Sequence, residues 1–244
     1  MFEPTPVYAA SGVVYAIAFV VFLSWSRRLS PRVRRMCHVL IALVGIAAFA
    51  SVLNAAGVGV ITYGAESENL PDLIDDLLAY SLLCGLAGAL AGASRQLVAT
   101  LVAVVFLMRA SFAAATFADG IVAIGGVLVV IVGYAVVVFL FAGRVWENAE
   151  QVSDRQRLLH WKARNLFLFL FGMLIVFGVA VFVDLLDPFV TGVVKNYIDV
   201  LFRVGFAGFL FANASVIEDD TSGALLAERA GGEGGAETTS NAAT

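Results

Sequence analysis

The sequence is poor in the residues that form soluble surfaces and enzyme centres. Only 14% of its 244 residues are charged, whereas soluble domains carry about 25% charged residues. It has two cysteines and two histidines, and it shows no metal-ligand cluster, no nucleophile beside a histidine and no phosphate-binding glycine loop. A soluble globular domain is therefore excluded. We expect no enzymatic activity, no bound metal and no nucleic-acid partner.

Apolar residues are abundant instead. They make up 61% of the chain, the mean hydropathy is +0.93, and they form runs near the roughly 20 residues that cross a bilayer as a helix. Only helices or closed barrels satisfy their backbone groups in lipid, and no alternating strand pattern is evident. The sequence predicts an all-α membrane protein, a bundle of seven transmembrane helices, with spans at Tyr8–Trp25, Cys37–Ile61, Leu73–Ala93, Leu97–Phe117, Ile121–Phe141, Asn165–Val183 and Val194–Ile217.

Basic residues predict the orientation of the spans, because positive loops face the cytoplasm. Eleven of the fifteen basic residues lie on one side: Arg27, Arg28, Arg32, Arg34, Arg35, Arg95, Arg144, Arg155, Arg157, Lys162 and Arg164. The loops on the other side contain acidic residues: Glu66, Glu68, Asp72, Asp119, Asp184 and Asp187. We therefore expect a multi-pass protein of the cell membrane with its N-terminus outside and its C-terminus in the cytoplasm.

The two ends of the chain differ in character. The first residues, MFEPTPVY, lack a basic segment and lead directly into the first span, so we expect no cleavable signal peptide. Residues 1–217 are predicted to form the transmembrane domain. Residues 218–244 are acidic and rich in Gly, Ala and Thr, which predicts a disordered cytoplasmic tail.

Four ionisable residues fall inside the predicted spans: Asp76, Arg109, Asp199 and Arg203. Asp75 and Lys195 are expected nearer the outer edge. Each charge costs about 2.5–3.5 kcal/mol at a helix centre, so such residues face the bundle interior and pair. Asp199 and Arg203 are four residues apart and share a helix face. Two interpretations stay open: an ion-pair network that orients the helices, or a polar site for an ion or ligand.

Residues 199–206 read Asp-Val-Leu-Phe-Arg-Val-Gly-Phe. This segment resembles the last helix of the microbial rhodopsins, which carries Asp-Val-x-x-Lys-Val-Gly-Phe. The seven spans, the short loops and the Arg164-Asn165 entry to the sixth span are also similar to that family. The resemblance implies that Asp199 and Asp76 match the counter-ion carboxylates. It also implies that Arg203 stands where the family has the lysine that binds retinal.

Several departures from the family pattern argue against a chromophore. A guanidinium stays protonated and cannot condense with an aldehyde, so we expect no covalent retinal and no other cofactor. Lys195 lies too near the predicted outer surface to take the place of the missing lysine. The resemblance further implies that the helix-three arginine, the proton donor, the pocket tryptophans and the tyrosine-proline pair are replaced here by Leu73, Ala87, Leu77, Gly125, Phe171, Gly178 and Leu174-Ile175.

Three functional alternatives follow. The first is a retinal-free relative of the opsins with a sensory, regulatory or accessory role through membrane partners, in contact with the lipid bilayer. The second is a transporter or channel that uses Asp76, Asp199, Arg203 and Arg109 as an ion site. The third is noncovalent binding of retinal, a carotenoid or a lipid. Glycines in GVGV (57–60) and AIGG (123–126) are expected within spans, where small residues let helices approach. Homo-oligomers stay open.

Overall fold

The computed structural model describes residues 5–63, 66–183 and 185–216. Over these residues the chain forms a bundle of seven helical crossings. The helices are α1 (Thr5–Ser26), α2 (Pro31–Ala55), α3 (Leu70–Ala89), α4 (Arg95–Thr116), α5 (Gly120–Ala142), the short α6 (Arg144–Ala149), α7 (Asp154–Phe182), α8 (Pro188–Val200) and α9 (Phe206–Ala212). A π-helical segment, Leu201–Gly205, joins α8 to α9, so these three pieces form the seventh crossing.

Five of the crossings are long and apolar enough to span a membrane by composition alone: Pro6–Ser26, Val33–Ala55, Arg95–Thr116, Gly120–Ala149 and Asp154–Phe182. The other two are α3, which carries three aspartates, and the seventh crossing, which is divided by the π-helical segment. These two crossings hold most of the buried charge. The charged side chains of α3 and the division of the seventh crossing, rather than a lack of apolar residues, therefore set these two crossings apart.

Local sequence signals set several helix ends. The Ser94 hydroxyl accepts a hydrogen bond from the Leu97 N–H at the start of α4, and Ser153 does the same for α7 through Gln156. The Asp187 carboxylate accepts from the N–H groups of Phe189 and Val190 at the start of α8. Such caps satisfy N–H groups that have no partner inside the helix.

Two predictions about the second span are wrong. The predicted span ended at Ile61, but α2 ends at Ala55, and the chain then turns through Gly57 and Gly59, whose φ angles of 67° and 84° suit glycine. The following residues form an antiparallel hairpin of β1 (Val60–Tyr63) and β2 (Glu66–Asn69). The GVGV glycines therefore shape this turn rather than a helix contact, because the β-branched segment after them pairs locally.

The other predicted spans match helices with shifted ends. The largest shift is in the sixth span, because α7 begins at Asp154 rather than Asn165. The seventh crossing begins at Pro188, before the predicted Val194, and the predicted end at Ile217 lies outside the described residues. Asp184 and the predicted tail, residues 218–244, also lie outside them. Hydropathy therefore located the crossings, but it did not predict the helical turns that extend past the apolar part of each crossing.

Small residues bring neighbouring helices together. A Cβ atom added to Gly126 of α5 would lie 2.7 Å from the Ala115 Cβ and 2.8 Å from the Ser111 carbonyl oxygen of α4. On α3, a Cβ at Gly88 would lie 2.6 Å from Leu101 of α4. The expected role of the AIGG glycines is thus met at Gly126. The α3–α4 and α4–α5 pairs pack with little space between their backbones.

Candidate functional site

The seventh crossing presents a row of ionic side chains to the interior. Lys195, Asp199 and Arg203 are spaced four residues apart, so they share one face of a helix. The π-helical segment Leu201–Gly205 includes Arg203, and its side chain is only 1% exposed. Such segments, with their wider turn, occur frequently at functional sites. The row faces α3, whose Asp72, Asp75 and Asp76 also share a face.

Three carboxylates surround the Arg203 guanidinium. Its Nη2 lies 2.8 Å from the Asp75 carboxylate and 2.7 Å from the Asp76 carboxylate. Its Nη1 lies 3.2 Å from Asp199. The guanidinium carbon also lies 5.4 Å from the centre of the Tyr80 ring. A buried cation is stable only when it is paired in this way, because the apolar interior provides no water to solvate it.

A second cation, Lys195, lies on α8 two helical turns before Arg203 and contacts two of the same carboxylates, Asp76 and Asp199. Its ammonium contacts Asp199 at 3.0 Å and Asp76 at 3.6 Å, and it donates a hydrogen bond to Asp72. The Tyr80 hydroxyl donates to the other oxygen of Asp199. Lys195 therefore links α8 to both Asp72 and Asp76 of α3, and Tyr80 provides a neutral hydrogen-bond donor to Asp199.

Arg109 of α4 extends the group to the β-hairpin. Its Nε donates to Asp76 at 3.1 Å, and its Nη2 donates to Glu68 of β2 at 2.9 Å. Asp76 thus contacts all three cations, Arg109, Lys195 and Arg203. We call the connected residues the ionic cluster: Glu68, Asp72, Asp75, Asp76, Arg109, Lys195, Asp199 and Arg203.

The structure brings the four predicted residues, Asp76, Arg109, Asp199 and Arg203, into this one cluster. Asp75 and Lys195, which were expected nearer the outer edge, belong to the same cluster. Both make direct contact with Arg203 or its carboxylate partners, because the row on α8 and the row on α3 face each other. The four-residue spacing from Lys195 to Arg203 was the signal available for Lys195.

Sequence reasoning missed three further residues. Asp72 and Glu68 were assigned to a loop, yet their side chains are only 16% and 21% exposed and bind Lys195 and Arg109. Tyr80 was not singled out, although its ring and hydroxyl both contact the cluster. Asp72 lies three and four residues before Asp75 and Asp76, a spacing that places all three on one face. Glu68 had no such signal, because its position depends on the hairpin.

A cavity of about 320 Å³ adjoins the ionic cluster. One part of its wall is ionic and includes Asp76, Arg109 and Lys195. The remaining wall is largely apolar, with residues from α4, α5 and α7 such as Met108, Phe112, Val127, Ile131, Phe171, Leu174, Ile175 and Gly178. The volume is near the lower end of small-molecule sites, which span about 300–1,000 Å³. An amphipathic molecule or water and ions would suit such a wall.

Three of the carboxylates could hold a metal by distance alone. Oxygens of Asp72, Asp76 and Asp199 lie within 4.8 Å of one another. However, the Lys195 ammonium contacts all three. A metal ion would have to displace this ammonium, which already balances part of the negative charge of the three carboxylates. The expectation of no metal therefore stays a prediction.

Beneath the cluster, aromatic side chains fill the interior between α3, α7 and the seventh crossing. Phe202 lies 5.0 Å from Tyr80, 5.5 Å from Phe167 and 6.0 Å from Phe171 between ring centres. Most of these rings are tilted or edge-on, arrangements that aromatic pairs prefer. Phe171, one of the residues at an expected tryptophan position, is part of this group and also lines the cavity.

At the end of the bundle nearer α6, His160 of α7 is fully buried. Its Nδ1 lies 2.9 Å from the Ala87 carbonyl oxygen, and its ring packs against Phe141 and Trp146. Ala87 is the residue expected at the position of the family's proton donor. At this position the polar contact is therefore between the His160 ring and the backbone carbonyl oxygen of Ala87.

The sequence matches the family described as bacteriorhodopsin-like protein over residues 4–217. A sensory rhodopsin-2 from Natronomonas pharaonis is 30% identical over 212 residues, which cover 84% of this chain and 86% of that protein. A light-driven proton pump from Leptosphaeria maculans has a similar structure, with a TM-score of 0.80 at 18% identity over 89% of this chain and 96% of that chain.

A thermophilic rhodopsin from Rubrobacter xylanophilus is also similar in structure, with a TM-score of 0.78 and 18% identity. The match covers 90% of this chain and all of that chain. At such low identity the similar structures show a shared fold. The family match over residues 4–217 and the 30% identity to the sensory rhodopsin are similarities of sequence, and they show the family. The chain therefore belongs to the bacteriorhodopsin-like family of membrane proteins, the microbial rhodopsins.

Proposed function

We propose that this protein is a rhodopsin-family membrane protein that does not hold retinal covalently at the family's site and that acts through membrane partners. The single observation that carries the proposal is the state of Arg203. Its guanidinium is 1% exposed and is held by Asp75, Asp76 and Asp199. A guanidinium remains protonated under all physiological conditions, so it cannot form the imine that retinal requires.

The nearest lysine also fits retinal poorly. The chain has two lysines, Lys162 and Lys195. The Lys195 ammonium contacts three carboxylates, which stabilise its protonated form and so oppose the free amine that must attack an aldehyde. The residues around this site therefore do not fit covalently bound retinal.

The charge pattern supports a membrane orientation for the proposed role. We place the N-terminus outside and the C-terminus in the cytoplasm, because the basic residues concentrate in the α1–α2 and α5–α7 connections. The cell membrane is the proposed location, with residues 1–217 as the transmembrane domain and 218–244 as an acidic cytoplasmic tail. The basic connections would then face anionic lipid.

A sensory or regulatory role is favoured over pumping. The relative that shares 30% of its sequence with this chain is named as a sensory rhodopsin, whereas the pumps are similar in fold at 18% identity or less. A sensor acts by contact, so a partner protein in the bilayer or a second copy of this chain is the proposed target. The proposed role is non-enzymatic.

A retinal-binding experiment tests the proposal. The purified protein is mixed with all-trans retinal, its visible spectrum is recorded, and the sample is reduced with borohydride before intact-mass measurement. We expect no visible band and no added mass. The matched control is Arg203→Lys, which restores an amine at this position. A reduced adduct on the unaltered protein would overturn the proposal, and a visible band without an adduct would indicate noncovalent binding in the cavity.

Ion transport is the second candidate, and the cavity favours it. Asp76, Arg109 and Lys195 line that cavity, so charged groups of both signs face open space inside the bundle. In liposomes, this candidate predicts ion flux that Arg203→Ala abolishes. Arg95→Ala is the matched control, because Arg95 is exposed at the start of α4. Flux equal to that of empty liposomes would remove this candidate.

A further inference from the structure

The three carboxylates around Arg203 are not equivalent. Asp76 contacts Arg109 and Lys195 as well as Arg203. Asp199 contacts Lys195 and accepts a hydrogen bond from Tyr80 in addition to its contact with Arg203. Among the described residues, the charged partner of Asp75 is Arg203 alone, through one oxygen at 2.8 Å. One cation is thus shared by three acids, and Asp76 and Asp199 have further partners while Asp75 has none among the described residues.

The second oxygen of Asp75 has no hydrogen-bond donor among the described residues. This Oδ1 atom is buried, and the whole residue is only 3% exposed. Both oxygens of Asp76 and both oxygens of Asp199 have a charged or hydroxyl partner. An ionised oxygen that is buried without a donor loses its hydration and receives nothing in return, so the neutral acid is favoured there.

The charge balance also favours a neutral acid in this cluster. The ionic cluster contains five carboxylates, Glu68, Asp72, Asp75, Asp76 and Asp199, but three cations, Arg109, Lys195 and Arg203. Carboxylates that share one site disfavour each other's ionisation. The groups that act on Asp75 are Arg203 and Asp199 from the seventh crossing, Asp72 and Asp76 from α3, and the neutral phenol of Tyr15 from α1.

We propose that Asp75 is a proton-binding site inside the bundle, held as a neutral carboxylic acid while Asp76 and Asp199 are ionised. Binding adds one proton from water to Oδ1 and changes no other bond. The folded protein then holds this proton more tightly than the unfolded chain does, so the stability of the bundle falls as the pH rises above the ordinary pKa of a free aspartic acid, and the fall ends where Asp75 ionises in the folded protein. The site is independent of whether the protein binds retinal.

Infrared spectroscopy of the full-length protein in lipid tests the proposal directly. We expect the C=O stretching band of a protonated carboxylic acid at neutral pH, and we expect this band to be lost in Asp75→Asn and kept in Asp76→Asn. A spectrum of the unaltered protein with no such band overturns the proposal without any variant. A band that survives in Asp75→Asn assigns the proton to another residue and also overturns it.

Thermal unfolding gives a second readout. Asn imitates a neutral acid, so Asp75→Asn should keep the unfolding midpoint within about 1 °C at a pH below the ordinary pKa of aspartic acid, and it should remove the decrease of the midpoint that follows as the pH rises above that value. Asp76→Asn, which leaves three cations without their shared anion, should lower the midpoint by roughly ten degrees. Equal losses in both variants would show that Asp75 is ionised. A midpoint of the unaltered protein that rises with Na⁺ rather than with protons would show that the site binds a cation. Either result overturns the proposal.

Discussion

Asp76 and Arg203 come from helices more than a hundred residues apart in sequence, yet the Asp76 carboxylate lies 2.7 Å from the Arg203 guanidinium in the interior of the bundle. Their side chains are 2% and 1% exposed, so water screens little of their attraction. This contact joins α3 to the seventh crossing. Because each charge has several partners, the loss of one residue leaves the others unpaired.

Removal of Arg203 should strongly destabilise the protein. Arg203→Met leaves Asp75, Asp76 and Asp199 without their shared cation, and breaking a buried ion pair in this way costs about 3–5 kcal/mol. Thermal unfolding of the purified protein in detergent measures the loss. Arg95→Met, at an exposed position, is the control and should change little. Equal midpoints for the two variants would mean that Arg203 is not an ionic link.

The Tyr80 hydroxyl should contribute through Asp199. Tyr80→Phe keeps the ring against Phe202 but removes the donor, and hydrogen bonds to charged groups contribute about 1.5–3 kcal/mol. Tyr197→Phe is the control, since Tyr197 is 62% exposed. The free energies of unfolding of both variants are compared with that of the unaltered protein. A Tyr80→Phe protein as stable as its control would contradict the described hydrogen bond.

The link from Arg109 to the β-hairpin should be weaker. Glu68 is 21% exposed, so water screens its ion pair with Arg109, and we expect Glu68→Gln to cost less than about 1 kcal/mol. A double-mutant cycle with Arg109→Gln measures the coupling between the two side chains. Arg109→Gln alone should cost more, because it also removes a partner of Asp76. The reverse order of losses would show that the hairpin contact is the dominant one.

Two adjacent glycines on α5 should respond in opposite directions. Gly126→Ala places a Cβ 2.7 Å from Ala115 and 2.8 Å from the Ser111 carbonyl, and such overpacking costs about 1–3 kcal/mol. At Gly125 a Cβ meets nothing within 4 Å, so Gly125→Ala should be neutral or stabilise the helix by up to about 1 kcal/mol. Unfolding midpoints decide the order. A loss at Gly125 as large as at Gly126 would contradict the close α4–α5 contact.

The sequence by itself determined that the chain crosses a membrane as helices and that its last helix is of rhodopsin type. The free energy of transfer of an apolar run into the bilayer depends on the residues of that run alone. The motif at 199–206 is likewise one contiguous segment. Both can therefore be identified without knowing which helices pack beside them. The pairing of Asp199 with Arg203 was predictable for the same reason, because residues four apart share a helix face.

The tertiary structure alone decided which distant charges meet. The contacts of Lys195 with Asp72 and of Arg109 with Glu68 depend on the rotation of α8 and α4 and on the β-hairpin after α2. The inclusion of Asp75, whose second oxygen has no partner among the described residues, also depends on how α3 faces the seventh crossing. A helix's apolar content does not specify its rotation, because packing against its neighbours sets the rotation.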